Sequence, residues 1–215
     1  MSEITLGSTL PNIVSAATTG TLTIDGGGNT AISGNDSVRQ LILNSGAHLN
    51  LENITIRNGS VTGSNGGAID NEGGTLNIAR STFQDNHVLD PGNGGAIWSA
   101  NSGTVNISDS TFIGNGAPSS GAIRNFSGTM NVVNSTFYNN AAATFAGGAI
   151  ENTDTLTVTN STFSTNYAGV GYGGGAIYNQ GTATFKNSIL TNSTSTSCGP
   201  AAQVCLSSQA VVRVE

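Results

Sequence analysis

Through most of the chain, short runs alternate apolar and polar residues with a period of two, as in Thr75-Leu76-Asn77-Ile78 and Thr155-Leu156-Thr157-Val158. That period marks β-strands with one face buried and the other in water. Clusters of Gly, Asn and Ser bound each run and read as turns. Assigning the apolar member of each alternation inward gives Leu22/Ile24, Leu49/Leu51, Leu76/Ile78, Val105/Ile107, Met130/Val132, Leu156/Val158 and Ala183/Phe185.

The runs also repeat. Gly-Gly-Ala-Ile occurs at 66–69, 94–97, 147–150 and 174–177, with Gly-Ala-Ile at 121–123, so the isoleucines fall 28, 26, 27 and 27 residues apart. Ser-Thr-Phe-x-x-Asn occurs at 81–86, 110–115, 135–140 and 161–166, and a degenerate copy runs from Asn187 to Asn192. The alternating run lies between the two words in every copy. Three signals in fixed order at one period describe a unit that cannot bury its own apolar face but can do so in a stack. The expectation is an all-β, single-stranded parallel β-helix of about seven coils of ~27 residues, with three short strands per coil. Residues 1–20 are expected to form an N-terminal cap or irregular first coil, 21–192 the coils, and 193–215 a C-terminal cap, all in one domain.

Two asparagine columns follow from the alignment: Asn86, Asn115, Asn140, Asn166 and Asn192, and Asn44, Asn71, Asn125, Asn152 and Asn179, with Ser99 filling a gap in the second. Stacked amides can bond from coil to coil, and Asn tolerates left-handed corners. These columns therefore read as structural. The glycine pairs read as sharp corners and not as a phosphate loop, since no helix pattern follows them.

The two words together resemble the repeat of polymorphic outer-membrane proteins and related secreted or surface β-helical proteins of bacteria. The resemblance covers roughly residues 20–195. It implies a right-handed coil and an extracellular or cell-surface setting, with a structural or adhesive role. It brings no catalytic residues with it.

Composition narrows the partners. The net charge is −6, with one lysine, Lys186, and five arginines. Binding to a phosphate backbone needs clustered basic residues, so nucleic acid is not an expected partner. No apolar run approaches the ~18 residues of a membrane span. The start, Met1-Ser2-Glu3, lacks the basic and apolar regions of a leader, so the chain is expected either to be cytosolic or to begin after processing. Cys198 and Cys205 lie close together without a histidine nearby, and a local disulfide is the expected reading, with free thiols as the alternative.

Candidate chemistry falls on two outward columns. The residues just after Gly-Ala-Ile, namely Asp70, Trp98, Arg124, Glu151 and Tyr178, form the most varied column. Arg124 and Glu151 could pair there, and Trp98 and Tyr178 could stack on sugar rings. A glycosidase needs two carboxylates about 5–9.5 Å apart, whereas Asp70 and Glu151 should lie three coils, about 14 Å, apart. Asn152-Thr153-Asp154 matches one polygalacturonase word without its companions, and His48 and His87 have no metal-ligand spacing. Asp25-Gly26-Gly27-Gly28-Asn29 could wrap calcium but reads more simply as a turn. Catalytic residues, metal ligands and a cofactor are not expected.

The other column pair is regular: Thr75/Asn77, Thr104/Asn106, Thr129/Asn131, Thr155/Thr157 and Thr182/Thr184, preceded by Thr21/Thr23 and His48/Asn50. A flat Thr-x-Thr array resembles ice-binding faces, while the high β-propensity of Thr on an exposed sheet is the plainer explanation. Three functions stay open at this point: a structural or adhesive surface module, an ice-binding protein, and a polysaccharide-binding or -cleaving β-helix. The candidate partners are a glycan, a host or surface protein, ice, and a second copy stacked end to end.

Overall fold

The computed structural model describes residues 1–15, 20–169 and 173–195, and the backbone of 204–206 and 210–212. The described chain is all β and winds into a solenoid of about seven turns, in which each strand pairs in parallel with its counterpart one coil away. The alternating runs stack in the expected register: Leu49, Leu76, Val105, Met130 and Leu156 form one inward column, and Leu51, Ile78, Ile107, Val132 and Val158 the next. The isoleucine of each Gly-Ala-Ile stacks likewise, from Leu41 through Ile69, Ile97, Ile123 and Ile150 to Ile177. All of these residues are buried.

The phenylalanine column is a continuous stack. Phe83, Phe112, Phe137 and Phe163 lie 4.8, 4.8 and 4.7 Å apart between ring centroids, tilted by 7° or less. That distance is the strand spacing of a sheet, so the backbone imposes face-to-face rings in place of the offset geometry that free rings prefer.

Each full coil has four strands, where the alternation predicts three. The additional sheet has six short strands, from Ser60–Thr62 through His87–Leu89, Gly116–Ala117, Ala141–Ala142 and Tyr167–Ala168 to Thr194–Ser195. Two or three residues between an Asn corner and a Gly corner leave too little alternation to reveal a strand.

The corners are held by buried polar ladders. Asn86, Asn115 and Asn140 each donate a side-chain N–H to the carbonyl oxygen of the next coil's Asn, at 2.9–3.0 Å. At another corner the backbone N–H groups of Ser81, Ser110, Ser135 and Ser161 donate to the next coil's serine hydroxyl. In a dry interior such groups must be paired, and here each is paired with its own copy. The left-handed residue at the Asn corner is not the ladder Asn but the one before it, as at Asp85 (φ 51°) and Asn139 (φ 54°).

The register corrects the alignment at both ends. The N–H of Asn166 donates to Ser193, not Asn192, and Phe163 pairs with Leu190, which leaves Ile189 exposed. The final Ser-Thr-Phe-like word is thus offset by one residue from its expected alignment, while Ile177–Asn179 and Thr182–Lys186 stack as expected. At the other end Leu43, not Asn44, stacks on Asn71. Leu22 is 46% exposed in the first rung and does not join the core.

The ends differ from the coils. Ser2–Thr5 adds a parallel rung beneath Thr30–Ser33, and Ile13 bridges Leu43. The tail strands Val204–Leu206 and Ala210–Val212 pair antiparallel with Ile177–Asn179 and Ser188–Thr191. The expected disulfide involves Cys198, which lies outside the described residues.

Candidate functional site

The varied column forms as the register requires: Asp70, Trp98, Arg124, Glu151 and Tyr178 follow one another across adjacent strands. Its two acidic positions sit in different surroundings. The Asp70 carboxylate lies 3.4 Å from the Arg39 guanidinium. Arg39 is buried and donates to the carbonyls of Gly66 and Asn65 and to the hydroxyl of Ser64. Burial raises the Asp70 carboxyl to about 6 despite Arg39, and Glu72 alongside pushes in the same direction. Burial likewise lowers Arg39 from its ordinary value.

Arg124 and Glu151 form an ion pair at 2.5 Å, with side chains 16% and 6% exposed. An exposed pair of this kind contributes little, whereas a buried one is tolerated only when further hydrogen bonds fill the remaining lone pairs. Here they do. The other carboxylate oxygen of Glu151 accepts from Ser119 Oγ at 2.7 Å and Ser120 Oγ at 2.5 Å. Arg124 also donates to Asn93 Oδ1 at 3.1 Å and lies 5.7 and 5.5 Å from the ring centroids of Trp98 and Phe126. Those two rings stack at 5.2 Å.

A cavity of about 280 Å³ opens over this pair, lined by Asn93, Ser119, Arg124, Phe145, Glu151, Tyr178 and Gln180, with Ala146 between. Tyr178 is 2% exposed, so it belongs to the wall and is no open platform. Its hydroxyl accepts from Gln180 Nε2 at 3.1 Å. Phe145, in the loop above, is 45% exposed. Trp98 faces Arg124 and Phe126 and is not among the cavity residues. Sequence reasoning missed Ser119, Ser120, Asn93, Phe126, Phe145 and Gln180. One signal was visible: the Gly-Gly of the word is Ser120-Gly121 in this coil alone. The first glycine elsewhere sits at φ 65–75°, and Ser120 keeps that left-handed geometry at φ 61°. A residue with a Cβ is strained there, and its hydroxyl reaches Glu151.

The threonine and asparagine columns are also in register, Thr75, Thr104, Thr129, Thr155 and Thr182 in one and Asn77, Asn106, Asn131, Thr157 and Thr184 in the other. The asparagines form a second ladder, this one at the surface. Asn77, Asn106 and Asn131 each donate to the amide oxygen of the preceding coil at 2.8–2.9 Å, and Asn50 donates to Thr23 at 3.3 Å. A trough of about 270 Å³ runs beside them over Ala79, Ser108 and Val133.

Asp25–Asn29, expected as a turn, is instead a register shift within the strand Thr21–Ser33, where Asp25 accepts from the N–H of Gly27 and from Asn53, hydrogen bonds that lower its carboxyl from the ordinary value. Among the described residues no three of His, Cys, Asp and Glu gather as metal ligands, and no helix is long and apolar enough to cross a membrane.

Residues 80–100 match the family model of the Chlamydia polymorphic membrane protein (Chlamydia_PMP) repeat. The matched stretch contains one Ser-Thr-Phe-x-x-Asn and one Gly-Gly-Ala-Ile. Match and solenoid together fit β-helix repeats similar to those of polymorphic membrane proteins. No curated protein and no solved structure matches the chain.

Proposed function

We propose that this chain is a non-catalytic β-helical module displayed at a cell surface or secreted, where it acts as a structural or adhesive element. The observation that carries the reading is the state of Glu151. Its carboxylate is consumed by Arg124, Ser119 and Ser120, and the next acid of the column, Asp70, lies three strands away, about 14 Å at sheet spacing. Acid–base hydrolysis of a glycosidic bond needs a closer pair. The family match, which names a membrane protein repeat, supports the surface setting.

Beads coated with the chain test this reading on glycan- and protein-coated surfaces, alongside a polysaccharide-cleavage screen. Retention without cleavage is the expected result. Turnover that disappears in Glu151→Gln would overturn it, as would beads that bind no surface.

Ice binding is the second reading, favoured by the register of the threonine column. The adjoining asparagines speak against it, since they bond to one another and not solely to water. Thermal hysteresis at high protein concentration tests it, and a freezing-point gap lost in Thr104→Lys would replace the adhesive reading.

A further inference from the structure

Resting on the reading of a surface-binding module, we propose that the cavity over Arg124 and Glu151 receives one neutral sugar ring, the terminal or branching unit of a glycan. Three features point there. The first is size. The cavity, about 280 Å³, falls just below the usual range of ligand pockets, about 300 to 1,000 Å³. It holds one ring and not a chain.

The second is charge. The only ionised groups among the cavity residues are Arg124 and Glu151, which neutralise each other at 2.5 Å. An acidic sugar would bring its carboxylate against Glu151, and a cationic one would displace Arg124 from a guanidinium held by Asn93, Trp98 and Phe126. The chain as a whole carries −6, which further disfavours an anion. A neutral polyol meets neither objection, and it can both donate to and accept from the amide of Gln180 and the hydroxyl of Tyr178.

The third is the combination of surfaces. Phe145 presents an exposed ring at the rim while the floor is polar and hydrogen-bonded. A sugar ring has one apolar face of C–H bonds and a perimeter of hydroxyls, and it fits a site that offers an exposed aromatic ring beside hydrogen-bonding side chains. The backbone strain at Ser120 adds weight: the one coil in which the left-handed glycine has become serine is the coil that fixes the Glu151 carboxylate.

The probes are the methyl α- and β-glycosides of glucose, galactose and mannose, with methyl glucuronide as the acidic counterpart. Binding is read by saturation-transfer NMR and titration on the intact chain. At least one neutral glycoside should bind, with the ring C–H protons of one face nearest the protein. Phe145→Ala and Gln180→Ala alter exposed side chains and should leave thermal melting unchanged while each weakens binding about fivefold to tenfold. The glucuronide should bind more weakly than its neutral partner. No binding of any neutral glycoside, binding unaffected by both substitutions, or preference for the glucuronide would each overturn the proposal. Coated beads that still adhere in the first of these cases would show that the sugar assignment alone had failed; beads that do not adhere would remove the adhesive reading as well.

Discussion

Ser120 holds its hydroxyl 2.5 Å from the Glu151 carboxylate while its own backbone sits in the left-handed region at φ 61°. The two facts oppose each other energetically. Left-handed geometry costs a residue with a Cβ about 1–2 kcal/mol, and a hydrogen bond to a charged group contributes about 1.5–3 kcal/mol. Ser120→Gly removes both terms and should be destabilising by about 1 kcal/mol or less. Ser120→Ala keeps the strain and loses the bond, so it should be worse by about 1–2 kcal/mol. Urea unfolding of the three proteins gives the order, and an alanine variant as stable as the glycine one would dissociate the strain from the position.

The phenylalanine stack predicts a sharp dependence on its middle members. Phe112 touches a ring on either side and is fully buried. Phe112→Ala should cost about 3–5 kcal/mol, because flanking rings pinned by the strand spacing cannot collapse into the space. A shift of the unfolding midpoint no larger than that of a surface substitution would contradict the stack.

The two asparagine ladders should respond differently to the same change. Asn140 is fully buried and serves Asn115, Asn166 and the carbonyl of Phe112. Asn140→Ala leaves donors and an acceptor stranded in the interior and should cost about 3 kcal/mol. Asn106 stands in the surface ladder, where water replaces a lost partner, and Asn106→Ala should change stability by about 0.5 kcal/mol or less. Equal losses would mean that the outer ladder carries load as well.

Asp70 predicts a pH dependence of definite sign. Its carboxyl is raised to about 6 in the folded chain, so the folded state binds a proton there more tightly than the unfolded one. Its contribution is then fully present below the unfolded value near 3.8 and is lost as the pH rises through 6. Between pH 7 and 5 the wild-type melting temperature should rise on acidification, by an amount corresponding to about 1 kcal/mol. Asp70→Asn should flatten that window. A wild-type chain that loses stability from pH 7 to 5, with Asp70→Asn parallel to it, would refute the assignment.

Much of this was legible before the fold was seen. The two words and the alternation between them fix the inward columns, the coil length and the outward pairs, since identical neighbours one coil away leave little freedom in register. The sheet at Gly116–Ala117 and its equivalents stayed hidden, because strands of two or three residues carry no periodic signal. The end coils misled for a related reason. Asn187 to Asn192 supports two alignments one residue apart, and only packing of Leu190 beneath Phe163 decides between them. The candidate site was half visible. Column members were named by the repeat, whereas Phe145, Asn93 and Gln180 come from loops and corners whose positions depend on neighbouring coils.

Register between coils has an evolutionary corollary. Every ladder joins a residue to its counterpart in the next coil, so the rod can change length without penalty only in whole-coil quanta. Loss or duplication of one such unit brings like against like in all three sheets at once, while a gap inside a strand misaligns the columns that strand supplies. The cavity does not share this modularity. Arg124, Glu151 and Tyr178 belong to three successive coils, so inserting a single unit between them would preserve the scaffold and erase the site. In such a chain, architecture is inherited by copying and specificity by protecting particular junctions from it.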